Sequence, residues 1–233
     1  QCVAPMRRTS AAALLCALAT PLAAKPPFPT PVDQIGVSVP GAWVPGLSGS
    51  DFAGRALAGA GDVNADGVTD FLVGVPQADL PGQGNAGHAY LLLGGFGALA
   101  PDGYVNLAAI DGHRLVRFTG QSAGEIAGQS VAGAGDVNGD GFDDFLIGVP
   151  STNSTIDRPA WPSTPQALHT MPAGEAVRIG GLRNDDRLGV SVAGVGDVNG
   201  DGLADFAVGA THADPVSRED AGEVYLIFGR VTG

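Results

Sequence analysis

The chain has 233 residues, 37 of them glycine and 17 proline, with 44% apolar side chains and a formal net charge of −12. That length and apolar fraction suffice for a substantial core, and the glycine content points to many tight turns and an all-β fold. The acidic surplus argues against phosphate backbones and anionic lipid as partners and fits cations or a plain solubility role.

The first segment reads as an export signal. Arg7 and Arg8 follow a start at Met6, the stretch from Ala11 to Ala19 is apolar, and small residues come next. These are a positive n-region, a short h-region and a cleavage zone, with the cut after Ala19 or Ala24 and Ala24 preferred. The apolar stretch is too short for a membrane span, which needs about 20 residues. Residues 1–5 precede the start and read as upstream translated sequence, so 1–24 are expected to be absent from the mature chain. Residues 25–41 read as a Pro-rich linker. Both cysteines, Cys2 and Cys16, lie in the removed segment, so the exported chain would carry no disulfide. Its charge deepens to −14, ten basic against 24 acidic side chains.

From residue 42 the chain repeats itself. "GDVNADGVTDFLVGVP" (61–76) recurs as "GDVNGDGFDDFLIGVP" (135–150) and "GDVNGDGLADFAVGAT" (196–211). Each copy follows a glycine-containing lead-in: "FAGRALAGA" (52–60), "IAGQSVAGA" (126–134) and "LGVSVAGV" (188–195). Copies one and three are followed by "AGHAYLLLGG" (86–95) and "AGEVYLIFGR" (221–230), whereas the second has no clear counterpart and runs into a Pro- and Ser/Thr-rich loop at 151–165. Short extended pieces lie upstream: "AWVPG" (42–46), "VRFTG" (116–120) and "VRIGG" (177–181). Each unit is therefore expected to hold about four short strands, in the bounds 42–115, 116–176 and 177–233. Four-stranded units at this period match β-propeller blades, which bury their faces only against neighbours. No segment of the mature chain shows capped 3.6-residue periodicity, so alternating strands and helices are excluded.

The repeated loop carries the chemistry. In copy two Asp136, Asn138, Asp140 and Asp144 stand at positions 1, 3, 5 and 9, with glycine at 6 and the carbonyl of Phe142 at 7. Copy one offers Asp62, Asn64, Asp66, the Val68 carbonyl and Asp70; copy three offers Asp197, Asn199, Asp201, the Leu203 carbonyl and Asp205. Oxygen donors at alternate positions, with glycine at the sharp bend, let a short loop wrap a hard cation of Ca²⁺ size. A helix-loop-helix site opens the same way but needs a bidentate acid at position 12, where Val73, Ile147 and Val208 stand. An Asx-rich turn without metal accounts for one such loop more easily than for three. About three Ca²⁺ ions are therefore expected. With a dissociation constant of about 10⁻⁴ M and about 2 mM free Ca²⁺, each would stabilise the fold by about 1.8 kcal/mol.

The lead-in glycine, G-D-x-N-x-D-G-x-x-D, the apolar strand and the trailing G-V-P resemble the FG-GAP repeat, the blade of the integrin α-chain β-propeller, across roughly residues 42–233. The resemblance implies calcium ligands at the fifteen positions just named. "F-A-G" (52–54) keeps the family's phenylalanine, while "I-A-G" (126–128), "R-L-G" (187–189) and "G-A-T" (209–211) depart from its pattern, so no integrin-like ligand surface is carried over. Propellers of that kind have seven blades, and three units are visible here. The sequence is thus expected to be a fragment of a longer reading frame, with "AWVPG" an unpaired outer strand able to complete a last blade. Open blade faces would expose Leu72, Val73, Tyr225 and Ile227, and the "VYLIFG" edge would be free to self-associate.

Two enzyme-like strings are expected to be turns. "GQSAG" (120–124) resembles a nucleophile elbow around Ser122, and "GQGNAG" (82–87) a dinucleotide fingerprint, but each requires a following helix and leads into a strand instead. The four histidines are scattered without ligand spacing. The sequon at Asn153 is read as loop composition, and Trp161 as a loop anchor. The functional expectation is a secreted, calcium-binding propeller module for recognition or adhesion, without catalysis, facing an extracellular protein or glycan. The alternative is the propeller part of a secreted hydrolase or polysaccharide lyase. Ten mostly isolated Lys and Arg make a catalytic cleft of clustered charges the weaker reading.

Overall fold

A computed structural model describes residues 41–95, 104–108, 114–150, 179 and 186–231. The expected export signal, nearly all of the expected linker, residues 151–165 with Asn153 and Trp161, His113 and His169, and "VRIGG" apart from Ile179 lie outside the described residues.

Among the described residues nine strands form three antiparallel sheets. Strands β1 (Ala56–Gly61), β2 (Asp70–Val75), β3 (His88–Leu92) and β4 (Leu115–Thr119) make a sheet in that order; β5 (Ser130–Gly135) pairs with β6 (Asp144–Gly148); β7 (Leu188–Gly196), β8 (Asp205–Ala210) and β9 (Glu223–Ile227) make the third. The helical content of the described residues is one 3-10 turn, Pro215–Ser217. Sequence repeat and sheet are out of phase by one strand. "VRFT", which opens the second sequence unit, hydrogen-bonds along β3 as the fourth strand of the first sheet.

The sheets stack in chain order, β1 against β5 and β5 against β7. These inner strands read "ALAGAG", "SVAGAG" and "LGVSVAGVG" because they approach too closely for larger side chains. A Cβ at Gly133 would meet the Gly59 carbonyl, and one at Gly194 the Gly133 carbonyl. The same logic explains the lead-in and trailing glycines. A Cβ on Gly74 would run into the Gly128 carbonyl and one on Gly148 into the Gly189 carbonyl, so the trailing glycine of each sheet seats the lead-in glycine of the next. That contact needs no phenylalanine, so "I-A-G" and "R-L-G" preserve it.

Between the first two sheets, Leu72, Ala89, Leu91 and Val116 pack against Val131, Phe145 and Ile147. Phe118 meets Phe145 edge-on with centroids 5.5 Å apart. Between the second and third, Ala134 and Leu146 pack on Phe206, Val208, Val192 and Ile227. Each fully buried Leu or Val contributes about 1.5–3 kcal/mol.

Among the described residues no sheet lies on the outer face of the first sheet, which is covered differently. Val73, Val75, Tyr90, Leu92 and Leu115 lie under Val105 and Leu107, with Val44 and Ala53 packed on the same cluster. Trp43 accepts a backbone hydrogen bond from Val105 at 2.9 Å and its ring lies 5.6 Å from that of Tyr104.

Two expectations are corrected here. "AWVPG" is not unpaired, because it is bridged to Tyr104 and Val105. Leu72 and Val73 are not exposed: the second sheet covers one and the 105–107 layer the other. On the third sheet the alternation runs opposite to the expectation. Tyr225 and Ile227 are half-buried, while Val224 (77%), Leu226 (48%) and Phe228 (51%) form the open face.

Candidate metal loops and relatives

Each loop joins the first two strands of a sheet, at the end where a bulged glycine of positive φ (Gly61, Gly135, Gly196) turns the chain out of the inner strand. The first residue of the loop then organises it. Asp62 accepts from the N–H of Asp66 (3.0 Å) and Gly67 (2.8 Å); Asp136 from Gly139, Asp140 and Gly141 (2.7, 3.2 and 2.9 Å); Asp197 from Gly200, Asp201 and Gly202 (2.7, 3.1 and 2.9 Å). Asn64, Asn138 and Asn199 each accept from the N–H two residues on, at 3.0, 2.9 and 2.9 Å. Asp66, Asp140 and Asp201 accept from the N–H of Val68, Phe142 and Leu203 at 2.8, 2.9 and 2.9 Å. The glycines at position 6 have φ of 84, 89 and 92°, a left-handed bend that their residue type makes inexpensive.

The ninth position anchors the loop to the sheet. Asp70 is fully buried, accepting from Val63 N at 2.9 Å and from Gly94 N at 2.6 Å. Asp205 repeats this with Val198 N (2.8 Å) and Gly229 N (2.9 Å). Asp144 is half-buried and accepts from Val137 N at 3.0 Å. Burial raises the pKa of Asp70 and Asp144 against the lowering effect of these N–H donors, and neighbouring loop carboxylates raise it further. The Gly202 N–H first, with those of Gly200 and Asp201, lowers that of Asp197.

All fifteen sequence-selected residues thus fall in three equivalent loops. Their carboxylates are folded onto backbone N–H groups, and among the described residues no three His, Cys, Asp or Glu side chains stand close enough to hold one metal ion between them. The donor set nevertheless fits a hard cation. It is oxygen only, and every carboxylate retains lone pairs beyond those its N–H donors occupy.

Sequence reasoning missed Asp143. Its carboxylate accepts from Asp62 N at 2.8 Å, tying the second sheet to the first loop across 81 residues of sequence. The signal was present as the doubled acid of "DGFDD", where the other copies have Thr69 and Ala204. Ser122 lies in the turn between β4 and β5, and "GQGNAG" in the β2–β3 connection; neither precedes a helix.

Stacked antiparallel sheets joined by glycine contacts, each opening with the same acidic loop, are the blades of a β-propeller-type repeat protein. The FG-GAP repeat family model matches residues 53–92, 127–156 and 188–227, so the chain carries three FG-GAP repeats. It is 34% identical over 128 residues to integrin alpha-PS2 of Drosophila melanogaster, covering 51% of this chain and 9% of that one. It is 28% identical over 179 residues to integrin alpha-V of Gallus gallus (74% and 15%), and 31% over 156 residues to integrin alpha-8 of Mus musculus (64% and 14%). The chain therefore spans no more than about a seventh of these relatives. Among the described residues no helix is long and apolar enough to cross a membrane.

Proposed function

We propose that the chain is an exported calcium-binding β-propeller module acting in extracellular recognition or adhesion, with no catalysis of its own. The observation that carries this reading is the threefold recurrence of one oxygen-donor loop in a chain whose mature part has no cysteine. In each loop the acids and asparagine at positions 1, 3, 5 and 9 and the carbonyl at position 7 would hold one Ca²⁺. The ion would relieve the mutual repulsion of carboxylates gathered against the sheet. Similarity to integrin α chains supports an extracellular protein or glycan as the partner.

Calorimetric titration of the full chain with Ca²⁺ and thermal melting with and without chelator test the reading together. Saturable binding near three equivalents and a melting point raised by many degrees are expected. Superimposable melting curves overturn it. Asp140→Ala should reproduce part of the loss on chelation.

The open face of the third sheet supports self-association as a second interaction. Val224, Leu226 and Phe228 occupy the side that the first two sheets bury against a neighbour. Light scattering that finds only monomer at all concentrations overturns that part.

A further inference from the structure

A cavity of about 200 Å³ lies between the outer face of the first sheet and the layer that covers it. It exists because loops, rather than a preceding sheet, close that face. Its apolar walls are Leu47, Val75, Ala78 and Leu107. Its polar groups are Asp51, Asp79, His88, Tyr90 and Arg117. Tyr90 and Arg117 face each other across β3 and β4, and His88 lies two residues from Tyr90 on the same side of β3.

The polar groups are matched to a ligand that donates hydrogen bonds. His88 is 6% exposed and its Nδ1 lies 2.8 Å from the Gly87 carbonyl, a contact that requires the proton on Nδ1. Nε2 is then an acceptor, and it makes no hydrogen bond among the described residues. Asp51, 8% exposed, uses Oδ2 to accept from Ser48 N, and Asp79 uses Oδ1 to accept from Asn85 N. One oxygen of each carboxylate remains. Arg117 is engaged with the Tyr90 hydroxyl. Burial, with Arg117 nearby, lowers the pKa of His88 and keeps its ring neutral, so two carboxylates face one guanidinium and the cavity has a net negative charge.

We propose that this cavity binds a primary alkylammonium group. Three N–H donors on the ammonium match three acceptors, Asp51 Oδ1, Asp79 Oδ2 and His88 Nε2, and the methylene stem lies along Val75, Ala78 and Leu107. A free diamine and the end of a lysine side chain share this chemistry.

The test uses the full chain in saturating Ca²⁺, with ¹³C-labelled histidine read by NMR and His88 assigned from His88→Asn. The additions are n-butylammonium, cadaverine and Nα-acetyl-lysine amide, with butan-1-ol and butanoate as controls. Saturable movement of the His88 ring signals with the amines, absent with both controls, is expected. Asp79→Asn, at an exposed rim position where the amide oxygen can still accept from Asn85, should weaken binding about tenfold through loss of a charge-assisted hydrogen bond. Response to cadaverine alone supports a free diamine, and response to the lysine amide as well supports a side chain. Equal response to butan-1-ol, no saturation with any amine, or unchanged affinity in Asp79→Asn overturns the proposal. Because Ca²⁺ is saturating throughout, failure here leaves the calcium reading to its own melting experiment.

Discussion

Asp70→Ala separates the structural role of the loop acids from their role as ligands. Asp70 is fully buried and both of its oxygens accept backbone N–H groups, Val63 at 2.9 Å and Gly94 at 2.6 Å. Truncation leaves two buried donors without partners at about 1–3 kcal/mol each, so a loss of about 2–6 kcal/mol is expected with no metal present. Asp144 occupies the same loop position but is half-buried and among the described residues accepts from one such donor, Val137, so Asp144→Ala should cost about half as much. The assay is urea unfolding followed by circular dichroism, run in excess chelator so that ligand loss contributes nothing. The ordering Asp70 above Asp144 is the informative outcome. Equal losses, or a loss below about 1 kcal/mol at Asp70, would show that the buried carboxylate is not what fastens the loop to the sheet.

Other substitutions probe the remaining contacts. Ala65 holds a φ of 56° where the other loops have Gly139 and Gly200 at 78°, so Ala65→Gly should stabilise by about 0.5–1 kcal/mol in the same urea assay. Gly148→Ala drives a methyl into the Gly189 carbonyl and should cost about 1–3 kcal/mol, whereas Gly49→Ala, with open space around it, should be near neutral. Burial holds His88 below its ordinary value of 6.5. The unfolded chain therefore takes up the proton first, and the stability associated with the neutral ring is present above pH 6.5 and lost as pH falls toward the folded-state value. His88→Asn, which keeps a donor near the Gly87 carbonyl, should flatten that segment of a stability-against-pH profile.

Much of this was legible in the chain because the repeat fixes it locally. Loop acids at alternate positions, glycine at the bend and an apolar strand after the ninth residue are short-range features, and in all three copies the acid at position 1 accepts from the N–H groups at positions 5 and 6. What the sequence hid depends on which sheet lies next to which. Leu72 and Val73 look alike in "DFLVGV", yet one is covered by the second sheet and the other by residues 105–107. The third sheet's open side falls on Val224 and Leu226 rather than Tyr225 and Ile227 for the same reason. Alternation predicts two faces but not which of them meets a neighbour. The cavity beside His88 was equally invisible, since its walls come from segments 47–51, 75–79, 88–90 and 117, and only the covering layer brings them together.

That covering layer also gives the stack a direction. Among the described residues the first sheet's outer face is closed by Val44, Ala53, Val105 and Leu107, and the cluster beneath them is as well buried as those between sheets. Among the described residues the third sheet's outer face has no such layer, and Val224, Leu226 and Phe228 stand exposed on it beside the small residues Ala193 and Ala207. Its register positions match the side of the second sheet that carries Ala132 and Leu146, so its shape is one that another FG-GAP sheet would fit. Head-to-tail growth requires two complementary free faces, and the described residues offer one. Association of the chain with itself would therefore join two third sheets about a twofold axis and stop there, whereas a further repeat would add to the same face and extend the propeller.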